Sequence, residues 1–215
     1  MVVATEAHKF STHGTAGGIE GIAHMPDGEP RALAVVCHPL PTMGGTMENK
    51  VAVTLAKTLC ELGCVALRFN FRGVGASAGE FTGGDGEVED VLAVVEFARE
   101  QFGDLPLLLS GFSFGGYVAA RAAQQLQPRH LLLAAPAVTR FGATAVLSTE
   151  MPGVPPDTLI VHGEHDDVVP LAKAMEWARP QHVPIVVLPG AEHYFHGRLT
   201  QLRDIVKRHF GGVEW

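Results

Sequence analysis

The stretch Gly111-Phe112-Ser113-Phe114-Gly115 decides the fold prediction for this chain. A dense apolar run precedes it, and a run of small, helix-forming residues follows it. A strand, a sharp turn and a helix in that order are the context in which G-x-S-x-G forms a nucleophile elbow. In so tight a turn, side chains at the two glycine positions would collide with neighbouring backbone. We therefore expect Ser113 to be lifted clear of a sheet as a nucleophile.

The apolar runs on either side of this motif predict an α/β fold. Strands are expected near 8–13, 17–25, 33–37, 64–69, 105–110, 130–135, 158–162 and 185–188, and helices near 46–62, 85–101 and 198–210. Such alternation predicts a mostly parallel central sheet of about seven or eight strands, with helices on both faces. Only about twenty residues separate the sixth and seventh strands, which predicts a loop with at most one short helix and no cap domain. The site should therefore be open and shallow. The length of 215 residues, 47% of them apolar, favours a single domain over residues 1–215.

Candidates for the base and the acid that a serine nucleophile needs occur downstream. The loop after the seventh predicted strand carries Glu164, Asp166 and Asp167. The loop after the eighth carries His193 and His196. Ligands of open parallel sheets bind beyond the carboxyl ends of the strands, so these loops should meet the elbow at one edge of the sheet. The residues alone leave the choice within each loop open.

Five segments together resemble the α/β-hydrolase superfamily, and within it the small, lidless bacterial serine hydrolases with an H-P-x-P loop. They are spread over residues 32 to 200, in the order that the superfamily shows. The segments are His38-Pro39-Leu40-Pro41, Arg68-Phe69-Asn70-Phe71-Arg72-Gly73-Val74-Gly75-Ala76-Ser77, the elbow, Gly163-Glu164-His165-Asp166 and Gly190-Ala191-Glu192-His193.

This resemblance implies a serine hydrolase and selects its catalytic residues. The G-x-x-D pattern assigns the acid to Asp166, which leaves Asp167 as a solvated or loop-stabilising carboxylate. The G-A-x-H pattern assigns the base to His193. His196 then packs near the start of the last helix or lines the substrate pocket. Proteins of this group are generally called esterases or carboxylesterases, so the implied activity is hydrolysis of carboxylic esters.

The oxyanion of acyl transfer needs two main-chain N–H donors. The residue after the nucleophile supplies one of them, which is Phe114 here. In the loop His38-Pro39-Leu40-Pro41 neither proline has an N–H, so Leu40 carries the free amide and matches the superfamily's second donor. The alternative is that this loop is only a stiff turn. His38 itself is expected to be a buried structural histidine bonded to backbone.

The glycine-rich segment 72–77 lacks the frame of a phosphate-binding loop and matches the hydrolase loop after the fourth strand. Asn70 stands where that loop usually has an acid. We therefore expect Arg72 to be structural and to lack that ion-pair partner. His162, His165 and Asp166 have the residue types of a metal site, but the triad uses Asp166 and His162 should point into the core. No metal and no cofactor are expected.

Charge and hydropathy argue against a nucleic-acid-binding, a membrane-spanning or a secreted protein. The net charge is −7, which argues against nucleic acid as a partner. No apolar run approaches the length that crosses a bilayer, and residues 1–9 do not show the pattern of a signal peptide. The three cysteines are an odd number without a secretory signal, which favours reduced thiols and a cytoplasmic location.

The predicted function is a cytoplasmic serine carboxylesterase acting on a small-molecule ester, with short acyl chains favoured because no lid is evident. A thioesterase, an amidase or peptidase, or an acyltransferase would use the same triad. A hydrolase fold adapted to binding without catalysis is a further alternative, although such proteins usually lose triad residues. A homodimer through an exposed apolar edge or the tail Val213-Glu214-Trp215 is an open expectation.

Overall fold

Eight strands form one sheet in the computed structural model, which describes residues 6–139, 147–213 and 215. The strands are β1 (Glu6–Gly14), β2 (Gly17–Met25), β3 (Ala32–Cys37), β4 (Cys64–Phe69), β5 (Leu107–Phe112), β6 (His130–Ala134), β7 (Leu159–Gly163) and β8 (Ile185–Leu188). Their order across the sheet is β1-β2-β4-β3-β5-β6-β7-β8. The pairs β1–β2 and β2–β4 are antiparallel, and every later pair is parallel. The predicted mostly parallel sheet is confirmed.

Helices cover both faces of this sheet, as predicted. They are α1 (Lys50–Glu61), α2 (Asp85–Phe102), α3 (Phe114–Leu126), α4 (Leu171–Ala178) and α5 (Leu199–Phe210). Successive side chains of a strand point to opposite faces. Leu33 and Val35 of β3 therefore join a core with α2 and α3, whereas Ala34 and Val36 join a second core with α1 and α5. The central strands β3 to β7 are thus buried between two apolar layers.

Three elements differ from the prediction. Helix α1 begins at Lys50 rather than near residue 46, because the Asn49 side chain accepts hydrogen bonds from the N–H groups of the first turn. Strand β5 lies two residues later than predicted, since its pairing with β6 continues to Phe112, directly before the elbow. Helix α4 was not predicted at all; it follows Pro170 and buries only Ala174 and Ala178.

Arg72 has no acidic partner at position 70, as expected, but it pairs with an acid from another element. Its guanidinium contacts the Asp90 carboxylate on α2 at 2.9 and 3.2 Å, and its main-chain N–H donates to the same carboxylate at 2.9 Å. The Asp90 side chain is only 1% exposed, so this is a buried ion pair. Burial raises the pKa of Asp90, although its hydrogen bonds with Arg72 oppose that effect. The Asn70 amide donates to Glu20 instead, at 2.7 Å. Arg72 is structural, as expected, and ties the loop after β4 to α2.

The connection between β6 and β7 is short, and its described residues, 135–139 and 147–158, form no helix, strand or cap domain. The short helix that we allowed for in this loop, and the openness of the site below it, depend also on residues 140–146, which lie outside the described part of the chain. None of the helices that the structure describes has the length and apolarity to span a bilayer.

Candidate active site

The elbow between β5 and α3 holds Ser113 in a backbone conformation that residues other than glycine seldom adopt, with φ 56° and ψ −119°. Such a conformation costs roughly 1–3 kcal/mol and persists only where the surroundings impose it. The Ser113 N–H donates to the Ala134 carbonyl at 3.0 Å, and its own carbonyl accepts from Ala137 at 3.0 Å and from Gly116 at 2.9 Å. Main-chain bonds to the end of β6 and to α3 therefore hold this strained residue in place.

Both elbow glycines are sterically required, as predicted. A Cβ at Gly111 would overlap the Gly115 carbonyl oxygen. A Cβ at Gly115 would overlap the Cys37 carbonyl oxygen and stand 2.5 Å from the carbonyl oxygen of His38. All of these obstacles are backbone atoms, which a rotamer change cannot move. The same closeness brings the start of α3 against the loop that follows β3.

Ser113, His193 and Asp166 form a continuous chain of hydrogen bonds. The distance from His193 Nε2 to Ser113 Oγ is 3.0 Å, and that from His193 Nδ1 to Asp166 Oδ2 is 2.7 Å. The three residues follow β5, β8 and β7, and each is at most 5% exposed. In this arrangement Asp166 fixes the imidazole orientation, and Nε2 lies where it can accept the serine proton.

The competing residues of the same two loops lie outside this chain. Asp167 is exposed. The side chain of His196 is 71% exposed, and its Nδ1 lies 2.8 Å from a carboxylate oxygen of Glu192. Glu164 accepts a hydrogen bond from the Gly190 N–H at 2.8 Å and so joins the two loops. The structure thus brings together the acid and the base that the resemblance selected.

Two main-chain N–H donors hold one oxygen of Asp166. Its Oδ1 accepts from Val168 at 3.0 Å and from Val169 at 2.7 Å, which leaves Oδ2 to His193. One oxygen of this carboxylate is therefore fixed by the main chain and the other contacts the imidazole. Around His193, the Phe112 ring lies at 4.9 Å between centroids and the Tyr194 ring stands edge-on at 5.1 Å.

The two amides expected to bind an oxyanion are free for a ligand. Within the described residues, the N–H groups of Leu40 and Phe114 donate no hydrogen bond to the protein. Phe114 is the first residue of α3, where helical N–H groups have no partner inside the helix. The Leu40 carbonyl accepts from Met43 at 3.1 Å and from Gly45 at 3.0 Å, which closes its loop into a tight turn.

His38 is the buried structural histidine that the sequence predicted. It is fully buried, its Nδ1 lies 2.6 Å from the Pro39 carbonyl oxygen, and its Nε2 accepts from the Phe71 N–H at 3.1 Å. A carbonyl oxygen only accepts and an N–H only donates, so the ring is neutral with its proton on Nδ1. Burial lowers the pKa of His38 from 6.5 to about 4. His38 therefore joins the turn that carries Leu40 to the loop after β4.

The residue types that suggested a metal site are engaged elsewhere. His162 is fully buried and bonds to the main chain, whereas the His165 side chain is 71% exposed and lies beside Glu164. Among the described residues, no group of three or more His, Cys, Asp or Glu side chains is placed to hold a metal ion.

Known proteins resemble this chain over most of its length. The family model Hydrolase_4, described as serine aminopeptidase S33, matches residues 28–150, which include Leu40 and Ser113. An α/β serine hydrolase homologue from Coxiella burnetii is 40% identical, with a TM-score of 0.83 over 97% of this chain and 99% of that one. XC6422 from Xanthomonas campestris, described as an α/β serine hydrolase without lid, is 36% identical, with a TM-score of 0.85 over 97% and 95% of the two chains. An uncharacterised protein of Rickettsia prowazekii (strain Madrid E), RP471, is 30% identical over 90% of this chain and 84% of its own length.

Proposed function

Because the chain belongs to the serine aminopeptidase S33 family of α/β-hydrolases, and is a serine hydrolase of that fold, we propose that it cleaves carboxylic esters through an acyl-enzyme on Ser113. The observation that carries this proposal is the hydrogen-bond chain from Ser113 Oγ through His193 to Asp166, with distances of 3.0 and 2.7 Å. A serine hydroxyl without such a base is a poor nucleophile at neutral pH.

The proposed first half-reaction transfers the acyl group to the enzyme. Ser113 Oγ attacks the ester carbonyl carbon while His193 Nε2 takes the hydroxyl proton, and Asp166 stabilises the imidazolium. The carbonyl oxygen becomes an oxyanion that accepts hydrogen bonds from the Leu40 and Phe114 amides; each such donor contributes about 3 kcal/mol to lowering the barrier. His193 then gives its proton to the departing alcohol, and the C–O bond of the ester breaks.

The second half-reaction releases the acid. A water molecule loses a proton to His193 and attacks the acyl carbon, and the oxyanion forms again between the same two amides. The bond to Ser113 Oγ breaks, and His193 returns the proton to the serine oxygen. The same groups therefore serve both steps, and the proposal requires no cofactor.

Short acyl chains are the proposed substrates because no cap domain is formed by the described residues between β6 and β7. A second candidate reaction, cleavage of an amide from the amino terminus of a peptide, is favoured by the description of the matched family as serine aminopeptidases. Thioesters and acyl acceptors other than water use the same triad. A binding protein without catalysis is disfavoured by the intact hydrogen-bond chain. The predicted small-molecule partner, homodimer and cytoplasmic location stay predictions.

The test compares p-nitrophenyl esters of increasing acyl length with an acyl thioester and an aminoacyl p-nitroanilide. We expect wild-type protein to cleave short esters fastest, and Ser113→Ala to lower kcat by about 10⁴-fold or more. Ser110→Ala is a matched control, since Ser110 is a buried serine of the adjacent strand whose hydroxyl has no partner among the described residues. A fluorophosphonate should modify Ser113 alone. Full ester turnover by Ser113→Ala would contradict the mechanism. If wild-type protein cleaved the anilide faster than any ester, the proposed substrate would be a peptide and not an ester.

A further inference from the structure

A second histidine stands directly behind the triad acid. His162 lies on β7, four residues before Asp166, and is fully buried. Its Nε2 is 2.8 Å from the Val169 carbonyl oxygen and 3.4 Å from Asp166 Oδ2. Its Nδ1 is buried and has no hydrogen-bond partner within the described residues. The mechanism given above makes no use of this side chain.

These contacts fix the protonation state of the ring. Both oxygens near Nε2 belong to groups that only accept, so Nε2 carries the proton and donates it mainly to Val169. Burial lowers the pKa of His162, which keeps the ring neutral. The lone pair of Nδ1 is then buried without a hydrogen-bond partner among the described residues. An apolar side chain would avoid the cost of burying an unpaired polar atom, so a buried histidine here requires an explanation.

The Val169 residue links His162 to the triad acid through its own main chain. Its N–H makes the shorter of the two main-chain bonds to Asp166 Oδ1, at 2.7 Å, and its carbonyl accepts from His162 at 2.8 Å. The intervening residues, Asp167 and Val168, are exposed and are not packed into the core. The buried end of this turn, at Val169, is therefore hydrogen-bonded to β7 through the imidazole of His162.

We propose that His162 is a positioning residue for Asp166. By holding the Val169 peptide against β7, and by directing the same N–H toward Asp166 Oδ2, it fixes the carboxylate in the orientation that His193 requires. Without this donor the Val169 peptide can rotate, and the carboxylate that it holds moves relative to the imidazole of His193. The proposal rests on the proposed function only for its kinetic consequence; the geometric consequence stands apart from it.

A matched pair of variants isolates the donor. His162→Gln keeps an N–H group near the position of Nε2, and His162→Met has a similar length and no donor. We expect the methionine variant to lower kcat for the best ester by tenfold to about a hundredfold, because small displacements of catalytic groups have effects of that size. Its KM should stay within about twofold, since His162 does not touch substrate. The glutamine variant should recover most of the lost kcat. Equal kcat for the two variants would overturn the proposal.

Two NMR measurements give outcomes that do not depend on turnover, and the first of them needs only wild-type protein. In wild-type protein, the ¹⁵N shifts of the His162 ring must report a neutral ring protonated at Nε2, and protonation at Nδ1 would overturn the proposal. The proton shared by His193 Nδ1 and Asp166 should give a downfield resonance in wild type and His162→Gln, and it should exchange faster or shift in His162→Met. If Ser113→Ala is inactive while His162→Met matches wild type in rate and resonance, the positioning role alone is wrong. If wild-type protein hydrolyses no ester, the NMR resonances still decide whether His162 positions Asp166.

Discussion

Acid should destabilise the folded protein through His38, and the size of the effect follows from the structure. In the folded state Nε2 of this ring accepts the Phe71 N–H at 3.1 Å, so a proton can bind there only if that bond breaks. Burial lowers the pKa of His38 from 6.5 to about 4, whereas an unfolded chain leaves the ring in water. Between these two values the unfolded state binds more protons than the folded state does.

The sign and magnitude follow from linkage. Because the folded pKa lies below the unfolded one, the stabilisation is fully present above about pH 6.5 and is lost as the pH falls toward 4. Multiplying the difference between the two pKa values by about 1.4 kcal/mol for each pH unit gives about 3–4 kcal/mol for the complete loss. His24, whose pKa burial also lowers to about 4, adds to the total slope in wild type.

The assay is urea-induced unfolding at a series of pH values from about 7.5 to about 4.5. His38→Gln keeps an oxygen able to accept the Phe71 N–H but cannot titrate. We expect this variant to be less stable than wild type at neutral pH and to lose less stability toward acid. The control is His165→Gln, which makes the same substitution at a side chain that is 71% exposed. If the free energies of unfolding of His38→Gln and wild type fell in parallel with pH, the assignment of a neutral, buried ring would be refuted.

Three further predictions concern the elbow, a buried ion pair and the thiols. Gly115→Ala places a methyl group onto the Cys37 carbonyl oxygen. It should lower the free energy of unfolding by about 1–3 kcal/mol and slow the labelling of Ser113 by a fluorophosphonate. The control Gly18→Ala, at a position with open space around it, should do neither. Asp90→Ala removes the buried partner of Arg72 and leaves it only the half-exposed Glu89 at 3.2 Å; it should lower the free energy of unfolding by about 3–5 kcal/mol. Replacing both Arg72 and Asp90 by apolar residues should recover most of that loss, and a loss below about 1 kcal/mol for Asp90→Ala would contradict a buried pair. Burial raises the pKa of all three cysteine thiols, so none should react with iodoacetamide near pH 8 before the protein unfolds, and a fast-reacting thiol would show that burial wrong.

Apolar runs and turn residues were sufficient to predict the sheet. Strand bounds of Gly17–Met25, Cys64–Phe69 and Ile185–Leu188 agree with the structure because each run ends at a glycine, a proline or a polar turn. The displaced start of α1 shows the limit of this approach. Its apolar spacing extends upstream of Lys50, and only the side-chain bonds of Asn49 determine where the helix begins.

Contacts between distant segments are what the sequence could not supply. Asp90 is one of several acidic residues near the start of α2, and nothing local indicates that its side chain turns inward to meet Arg72. The position of His162 behind Asp166 is of the same kind, since a histidine at a strand end gives no sign of the carbonyl it will meet. Helix α4 was different: Pro170, followed by small or apolar residues at 171, 174, 175 and 178, is a local signal that could have been used.

The position of β8 in the chain has a consequence for biosynthesis. This strand lies at the rim of the sheet beside β7, and His193 enters only with the loop that follows it. A nascent polypeptide that has emerged as far as α4 thus contains Ser113 and Asp166 but lacks His193, the imidazole that contacts both of them. The proposed triad can therefore assemble only after β8 and the loop that follows it have been synthesised.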